Sequence, residues 1–223
     1  MATAVFAGCL AAATAQHAEH GRYGNPANLD SYIAHLADPA REAWQKPDEV
    51  VRALDLKPGQ VACDVGAGPG YFTLRLARAV GPGGRVYAVD VEPKILDALR
   101  ERLAASGLRN VTPVLALADD PLLPAAACDV ILVVDTYHHF PDRVAYLGRL
   151  TRALRPGGRI ANIDYHKRAT PVGPALAHRL SREEFLAEAQ TAGLVIADEP
   201  TFLAHQYFVM LRPRGAALAP RPN

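Results

Sequence analysis

The sequence predicts one α/β domain built on a doubly wound, mostly parallel sheet of seven strands that an antiparallel hairpin closes. From residue 48 onward, short apolar runs alternate with amphipathic helical patterns, and such alternation implies right-handed crossovers between parallel strands. Near the C-terminus two apolar runs follow one another without a helix between them, which indicates the hairpin. A chain of 223 residues with 50% apolar content can bury one core of this kind.

Seven apolar runs are the predicted strands. They cover residues 61–65, 85–91, 111–115, 130–134, 159–163, 194–197 and 206–211. Apolar residues at helical spacing predict helices from Phe72, from Ile95 and along residues 144–154. Ser181 and Glu184 have the spacing of a capping box, which predicts that a last helix begins there.

The N-terminal part of the chain has a different character from the domain. The predicted organisation is a leader (1–20), a helical extension that covers the cleft as a lid (21–47), the domain (48–213) and a flexible tail (214–223). The leader is apolar but too short to span a bilayer as a helix. It resembles an export signal, and "FAGC" around Cys9 resembles a lipoprotein signal in which that cysteine carries lipid, yet no Lys or Arg precedes Arg22. An exported protein, a lipid-anchored protein and a cytoplasmic protein with an alanine-rich leader all remain open.

Charge and cysteine content narrow the classes of partner. The formal net charge is +1 and no block of like charge occurs, so we expect no nucleic-acid partner. Cys63 and Cys128 each lie beside an apolar strand, where a buried and inert thiol is the usual state. With Cys9 they form no paired motif, and we therefore expect neither a disulfide framework nor a zinc site.

A glycine-rich loop follows the first strand in "CDVGAGPGYF". A dinucleotide fingerprint starting at Gly66 would need glycine at positions 66, 68 and 71, but position 71 is Tyr. The glycines fall instead at Gly66, Gly68 and Gly70, and Asp64 lies two residues before the first of them. Gly66 and Gly68 would let a ligand lie against backbone amides, whereas Asp64 could hold the turn or meet a cation.

This loop resembles the first motif of the class I S-adenosylmethionine-dependent methyltransferases, an acid followed by GxGxG after strand one. The resemblance covers about residues 48 to 165 and includes "VYAVDVEP", "ALADDPLLP", "CDVILVVDTYHHF" and "RALRPGGRIANIDYH". "YHHF" and "LRPGG" look most similar to the branch that includes quinone-biosynthesis C-methyltransferases. The resemblance implies a Rossmann-like fold, S-adenosyl-L-methionine as cofactor and a small-molecule methyl acceptor.

The resemblance also implies a set of cofactor-binding residues. They are Asp64, Gly66, Ala67, Gly68 and Gly70 in the loop, Asp90 and Val91 after the second strand, and Asp119 after the third. Asp90 would accept hydrogen bonds from both ribose hydroxyls, since a carboxylate offers two acceptor oxygens to a vicinal diol. Val91 would pack on adenine, and Asp119 would receive the adenine amino group, although the adjacent Asp120 leaves that register open by one residue. The structural alternative for Asp90 is a helix N-cap ahead of Pro93.

Candidate acceptor-side residues follow strands four and five, whose carboxyl ends meet at one edge of the sheet. They are Asp135, Tyr137, His138 and His139 after strand four, and Tyr165 and His166 after strand five. We expect His138 or His139 to accept a proton or orient the acceptor, and Asp135 or Tyr137 to line the cleft. A soft nucleophile would need no base. Adjacent histidines point in different directions, so we expect no metal.

The extension carries three aromatic residues of interest, Tyr23, Tyr32 and Trp44. Each could roof the cleft, although Trp44 and Tyr32 could equally pin the extension to the core. Three functions remain: a small-molecule methyltransferase, which we favour, a methyltransferase acting on protein or RNA, and an inactive cofactor-binding module. The chain could act as a monomer or a homodimer.

Overall fold

The structure, a computed structural model, describes residues 25–215. The predicted leader with Cys9, the aromatic Tyr23 and residues 216–223 of the predicted tail lie outside this range. Within it, the predicted fold class is confirmed: helices flank a seven-stranded sheet that is mostly parallel.

All seven predicted strands are present. They are β1 (Val61–Val65), β2 (Arg85–Asp90), β3 (Val111–Leu115), β4 (Cys128–Val134), β5 (Leu154–Tyr165), β6 (Leu194–Asp198) and β7 (Gln206–Pro213). Their order across the sheet is β3-β2-β1-β4-β5-β7-β6. The first five strands are parallel, and β7 lies antiparallel between β5 and β6. β5 begins before the predicted run because the "RPGG" turn joins the strand.

The described residues contain seven α-helices. They are α1 (Leu29–Leu36), α2 (Glu42–Gln45), α3 (Pro47–Ala53), α4 (Thr73–Val80), α5 (Pro93–Ser106), α6 (Arg143–Ala153) and α7 (Arg182–Thr191). The capping box of Ser181 and Glu184 is present at the start of α7, as predicted. Glu92, and not Asp90, caps α5 through its side chain, which leaves the Asp90 carboxylate for another role.

Two apolar cores cover the two faces of the sheet. Ile131 and Val133 of β4 face the core that contains Leu147 of α6, while Leu132 faces the core that contains Leu76 of α4. Successive side chains of a strand point to opposite faces, so a strand covered on both sides is apolar throughout. This packing holds the carboxyl ends of β1, β2, β4 and β5 along one rigid edge.

The cysteines correct one expectation. Cys63 of β1 and Cys128 of β4 form a disulfide, with 6.2 Å between their Cα atoms, and both are fully buried. They lie 65 residues apart in the chain. Their spacing matched no framework because only the strand order, which places β4 beside β1, brings the two side chains together.

Candidate active site

A cleft with a volume of about 740 Å³ lies along the carboxyl edge of the sheet. It sits where the strand order reverses between β1 and β4, the usual ligand position in such sheets. One half is lined by the glycine loop and the end of β2, and the other by the end of β4, residues of the extension and the segment after β5. The fold thus brings the two predicted halves of the site into one cavity.

The glycine loop is shaped by its contacts within the protein. Gly66, Gly68 and Gly70 all have φ between +55° and +89°, the left-handed region that favours glycine. A side chain at Gly66 would clash with Thr136, and one at Gly70 would clash with Leu99. The close approach that the sequence predicted is therefore made partly by neighbouring side chains.

The loop amides are mostly engaged within the fold. Gly66 and Ala67 donate their N–H groups to the Val89 carbonyl at 2.9 and 3.0 Å. Gly68 donates to Asp90 Oδ2 at 2.9 Å. That a ligand lies against this backbone stays a prediction, since Gly66 and Gly68 line the cleft and offer it a surface without side chains.

Asp64 holds the turn, which is one of its two predicted roles. Its carboxylate accepts a hydrogen bond of 2.6 Å from the Thr73 hydroxyl at the start of α4. The side chain is 2% exposed, and burial raises its pKa to about 7. Asp64 thereby ties the end of β1 to the helix that follows the loop.

Asp90 has the geometry expected of a ligand for a diol. Its Oδ2 accepts from Gly68 and its Oδ1 accepts from the Glu92 amide at 3.0 Å, so the carboxylate is fixed from both sides. Each oxygen keeps acceptor capacity, and the residue lines the cleft. Burial raises the pKa of Asp90.

An apolar slot lies in the same half of the cleft as Asp90. It is formed by Val91, Ile95, Ala116, Phe140 and Tyr146. Phe140 stacks on Tyr146 with ring centroids 3.7 Å apart. A fixed carboxylate beside an apolar slot matches a ribose joined to a planar base, so these residues fit S-adenosylmethionine.

Asp119 does not lie where the resemblance placed it. Its side chain is 60% exposed and lies 3.7 Å from Arg149, outside the cleft. Ala116 and Ala118 line the cleft instead. The segment after β3 therefore contributes to the cleft with small side chains, and no described contact supports an adenine amino group at Asp119.

His138 forms a dyad with a residue that the sequence analysis missed. Its Nδ1 lies 2.8 Å from Oδ2 of Asp164, which is completely buried on β5. Burial opposes protonation of the ring, but the hydrogen bond and the charge of Asp164 outweigh it, and the pKa of His138 is raised. With Nδ1 engaged by a carboxylate, Nε2 is left as the proton acceptor, and the residue lines the cleft.

His139 is also at the cleft, but its environment differs. Its ring lies 4.2 Å from that of His138, centroid to centroid. The surrounding protein and the charge of His138 lower the pKa of His139 to about 4. A histidine this weakly basic is a poor proton acceptor at neutral pH, so the geometry favours His138 of the two candidates.

Two further candidates point away from the cleft. Tyr137 is 1% exposed, and its hydroxyl donates to Glu188 at 2.7 Å inside the core under α7. His166 packs against Tyr207 beyond the end of β5. Of the two residues expected to line the cleft, Asp135 does so and Tyr137 does not, because Tyr137 lies in a single 3₁₀ turn (Tyr137–His139) whose successive side chains point in different directions. His166 follows the end of β5 and does not line the cleft, which corrects the expectation that it meets the acceptor.

The extension closes part of the acceptor half of the cleft. Tyr32 and Trp44 both line it. Trp44 packs on Tyr165 of β5 with ring centroids 5.8 Å apart. Trp44 therefore pins the extension to the core and also faces the cavity.

The segment after β5 is held by one arginine, Arg179, which belongs to no motif identified in the sequence. Arg179 is 6% exposed. Its guanidinium donates to five oxygens of this segment, those of His166, Arg168, Thr170, Val172 and Pro174, at 2.7–3.2 Å. Because Gly173, Pro174 and His178 line the cleft, Arg179 fixes one wall of the acceptor half.

Two kinds of feature are absent from the part of the chain that the structure describes. Within residues 25–215, no three His, Cys, Asp or Glu side chains come together as a metal site would require. None of the helices in this range has the length and apolarity needed to cross a membrane.

Comparisons with known proteins agree with this geometry. Residues 62–158 match the family model described as a methyltransferase domain. A solved S-adenosylmethionine-dependent methyltransferase from Aquifex aeolicus is 28% identical, with a TM-score of 0.78 over 81% of this chain and 96% of that one. Residues 62–158 therefore form a methyltransferase domain, and by its fold and site the chain is similar to the class I S-adenosylmethionine-dependent methyltransferases, whose cofactor is S-adenosyl-L-methionine.

Curated relatives show which proteins this domain is similar to. The demethylmenaquinone methyltransferase of Bacillus cytotoxicus is 33% identical over 119 residues, 53% of this chain and 49% of that protein. The nocamycin O-methyltransferase of Saccharothrix syringae is 38% identical over 112 residues, 49% of this chain and 40% of that protein. The chain spans about half the length, or less, of these curated relatives.

Proposed function

We propose that this protein transfers the methyl group of S-adenosylmethionine to a small-molecule acceptor whose nucleophile must lose a proton. The observation that carries the proposal is the His138–Asp164 dyad, which lines the same cleft as the cofactor residues. The cofactor supplies an electrophilic methyl group when bound. The chain must then position the nucleophile in line and accept its proton.

The chain's own residues divide this work between the two halves of the cleft. Asp90 and the glycine loop hold the cofactor, and His138 accepts the proton at Nε2. Asp164 keeps the imidazole in the required tautomer and stabilises the charge that it gains. Trp44 and Tyr165 provide an aromatic wall for the acceptor.

A small acceptor is favoured by the enclosure of the site. The extension and the segment held by Arg179 both line the cleft, which leaves less room for a folded protein or RNA. Two relatives are named for demethylmenaquinone and nocamycin, which supports a small organic acceptor. A phenol or a quinol is the class we favour.

The test is a screen with labelled methyl donor against phenols, quinols, thiols, amines and carboxylates. We expect label in a phenol or quinol product. Label in bulk protein or RNA, with none in any small molecule, would favour the macromolecule alternative. Binding of the donor with no transfer to any class would favour an inactive module.

We also propose that the protein matures where the Cys63–Cys128 bond is kept oxidised. Disulfides persist in oxidising compartments and are rare in the reducing cytosol, which supports the export hypothesis. Intact-mass analysis of protein from its own host is the measurement. An exported form would begin at Gln16 or carry lipid on Cys9, and an unprocessed cytoplasmic chain with reduced cysteines would exclude export.

A further inference from the structure

The acceptor half of the cleft contains a carboxylate held by two buried amides. Asp135 Oδ2 accepts from Gln45 Nε2 at 3.0 Å, and its Oδ1 accepts from Gln206 Nε2 at 2.7 Å. Gln45 comes from α2 of the extension and Gln206 from β7, and both are at most 2% exposed. Asp135 itself is partly exposed to the cleft, so three distant parts of the chain place one acid there.

The hydrogen bonds favour the ionised form of this acid. Gln45 Oε1 accepts from Arg41 Nε at 3.0 Å, which fixes the amide so that its Nε2 faces Asp135. Both oxygens of Asp135 therefore act as acceptors. A protonated carboxyl would need an acceptor for its O–H, and neither amide nitrogen provides one.

The surrounding charges do not balance this carboxylate. Enclosure by the protein and the nearby Asp164 raise the pKa of Asp135 well above its usual range, toward neutrality. Arg41, the hydrogen bond from Gln206 and His138 offset this only in part. The other titratable groups that Asp135 affects, Tyr32 and Tyr165, are themselves driven toward their neutral forms. A cation that enters the cleft would therefore stabilise the ionised form of Asp135.

Asp135 also adjoins the cofactor loop. The next residue, Thr136, packs so closely on Gly66 that a side chain there would clash with it. His138 and its proton-accepting nitrogen follow three residues after Asp135. The acid thus adjoins the residue that packs on the glycine loop, and its charge acts on His138, so it lies near the place where the reacting end of the cofactor must lie for transfer.

On the basis of the proposed function, we propose that Asp135 is the counter-charge for the sulfonium of the methyl donor. Through this contact the protein would select the positively charged donor over its neutral product, S-adenosylhomocysteine. Gln45 and Gln206 are the positioning residues that keep the carboxylate in place.

The contact has a consequence for proton binding. In the free protein, enclosure and the charge of Asp164 raise the pKa of Asp135 toward neutrality against the hydrogen bonds that favour its ionised form, and a bound cation shifts the balance toward the ionised form. Donor binding therefore releases a proton, and the affinity for the donor rises with pH. The product carries no sulfonium, so its affinity stays nearly constant, and it leaves as Asp135 takes up a proton.

The experiment is titration calorimetry of the wild-type chain with S-adenosylmethionine and with S-adenosylhomocysteine at pH 6, 7 and 8. We expect donor affinity to rise by about tenfold from pH 6 to pH 8, the change linked to release of one proton. Product affinity should change by less than about threefold on the same linkage. Equal pH responses for the two ligands would overturn the inference, whereas binding of neither ligand would contradict the proposed function itself.

Two variants separate Asp135 from its titrating neighbour His138. Asp135→Asn keeps a residue type that tolerates the observed φ of +51°. It should weaken donor binding at pH 8 by about tenfold, remove most of the rise in donor affinity with pH, and leave product affinity within about threefold. His138→Gln should keep the rise in donor affinity with pH. Equal weakening of donor and product by Asp135→Asn would overturn the inference.

Asp55→Asn is the matched control. It removes the same charge from an exposed carboxylate outside the cleft, at a residue whose φ of +47° is close to that of Asp135. It should bind both ligands like the wild type at every pH. Loss of donor selectivity in this control as well would overturn the inference, because a general charge effect would then explain the result.

Discussion

At the scale of single residues, the dyad of His138 and Asp164 separates two histidines that the sequence could not distinguish. Both line the cleft, but only His138 has a buried carboxylate on its Nδ1. His138→Ala should lower turnover by about 10²–10⁴-fold, the usual contribution of general base catalysis. Cofactor affinity should stay within a few-fold, and His139→Gln should keep most of the turnover.

These effects are measured by steady-state kinetics on any acceptor found in the screen, together with cofactor titration. Full turnover in His138→Ala combined with weak cofactor binding would mean that this loop belongs to the cofactor pocket. The acceptor would then lie elsewhere.

Asp164 should act on the reaction through His138. Because Asp164 raises the pKa of His138, turnover needs a pH above that raised value and falls as the solution becomes more acidic. Asp164→Asn removes the charge and should move the acidic limb of the pH–rate profile to lower pH while lowering the plateau. If the acidic limb of the pH–rate profile were unchanged in a folded Asp164→Asn variant, Asp164 would not act on the reaction through His138.

Asp90 should be the principal polar anchor of the cofactor. Asp90→Ala removes a charged acceptor fixed by the amides of Gly68 and Glu92. The loss should be about 1.5–3 kcal/mol of binding free energy, measured by calorimetry against the same Asp55→Asn control. Wild-type affinity in Asp90→Ala would contradict the assignment of this half of the cleft.

Several site residues could be read from the sequence, and others could not. Asp64, Gly66, Gly68 and Asp90 lie at or just after the ends of β1 and β2, where the family resemblance placed them, and all four line the cleft. Asp164 and Arg179 belong to no local pattern, because their partners lie across strand pairs and loops. Asp119 and Tyr137 were misplaced because a sequence position near a strand end does not fix the direction of a side chain.

At the scale of elements, the segment after β5 depends on one buried guanidinium. Arg179→Lys keeps the charge but cannot reach five acceptors with one ammonium group. We expect faster hydrogen exchange over residues 166–178 and a higher KM for the acceptor, with cofactor affinity within about threefold, since only hydrogen bonds of this segment are lost. Arg109→Lys, an exposed arginine, is the control, and unchanged exchange in Arg179→Lys would show that the segment is held by other contacts.

Strand positions were predicted better than strand pairings. Each apolar run became a strand because its composition reports burial directly. The order of β1 beside β4 is a tertiary property that no local pattern records, and the disulfide between Cys63 and Cys128 was missed for this reason.

At the scale of the whole molecule, that disulfide should stabilise the fold by linking β1 to the adjacent β4 at the centre of the sheet. Closing a loop of this length lowers the entropy of the unfolded chain, and this stabilises the fold by up to about 4 kcal/mol at 25 °C. Reduction, or the double change Cys63→Ala and Cys128→Ala, should lower the Tm by about 10 °C. Scanning calorimetry measures the change.

Thiol titration in denaturant provides the check on the chemical state. The chain has three cysteines, so two of them should become reactive only after reduction. Three reactive thiols before reduction, with no effect of reductant on Tm, would contradict the bond.

The most direct test of the cofactor assignment is titration calorimetry of the purified chain with S-adenosylmethionine, with NAD as the comparison ligand. We predict saturable donor binding with a Kd of about 1–100 µM, a rise in Tm with donor concentration, and no binding of NAD. No heat and no thermal shift at millimolar donor, or binding of NAD in its place, would contradict it.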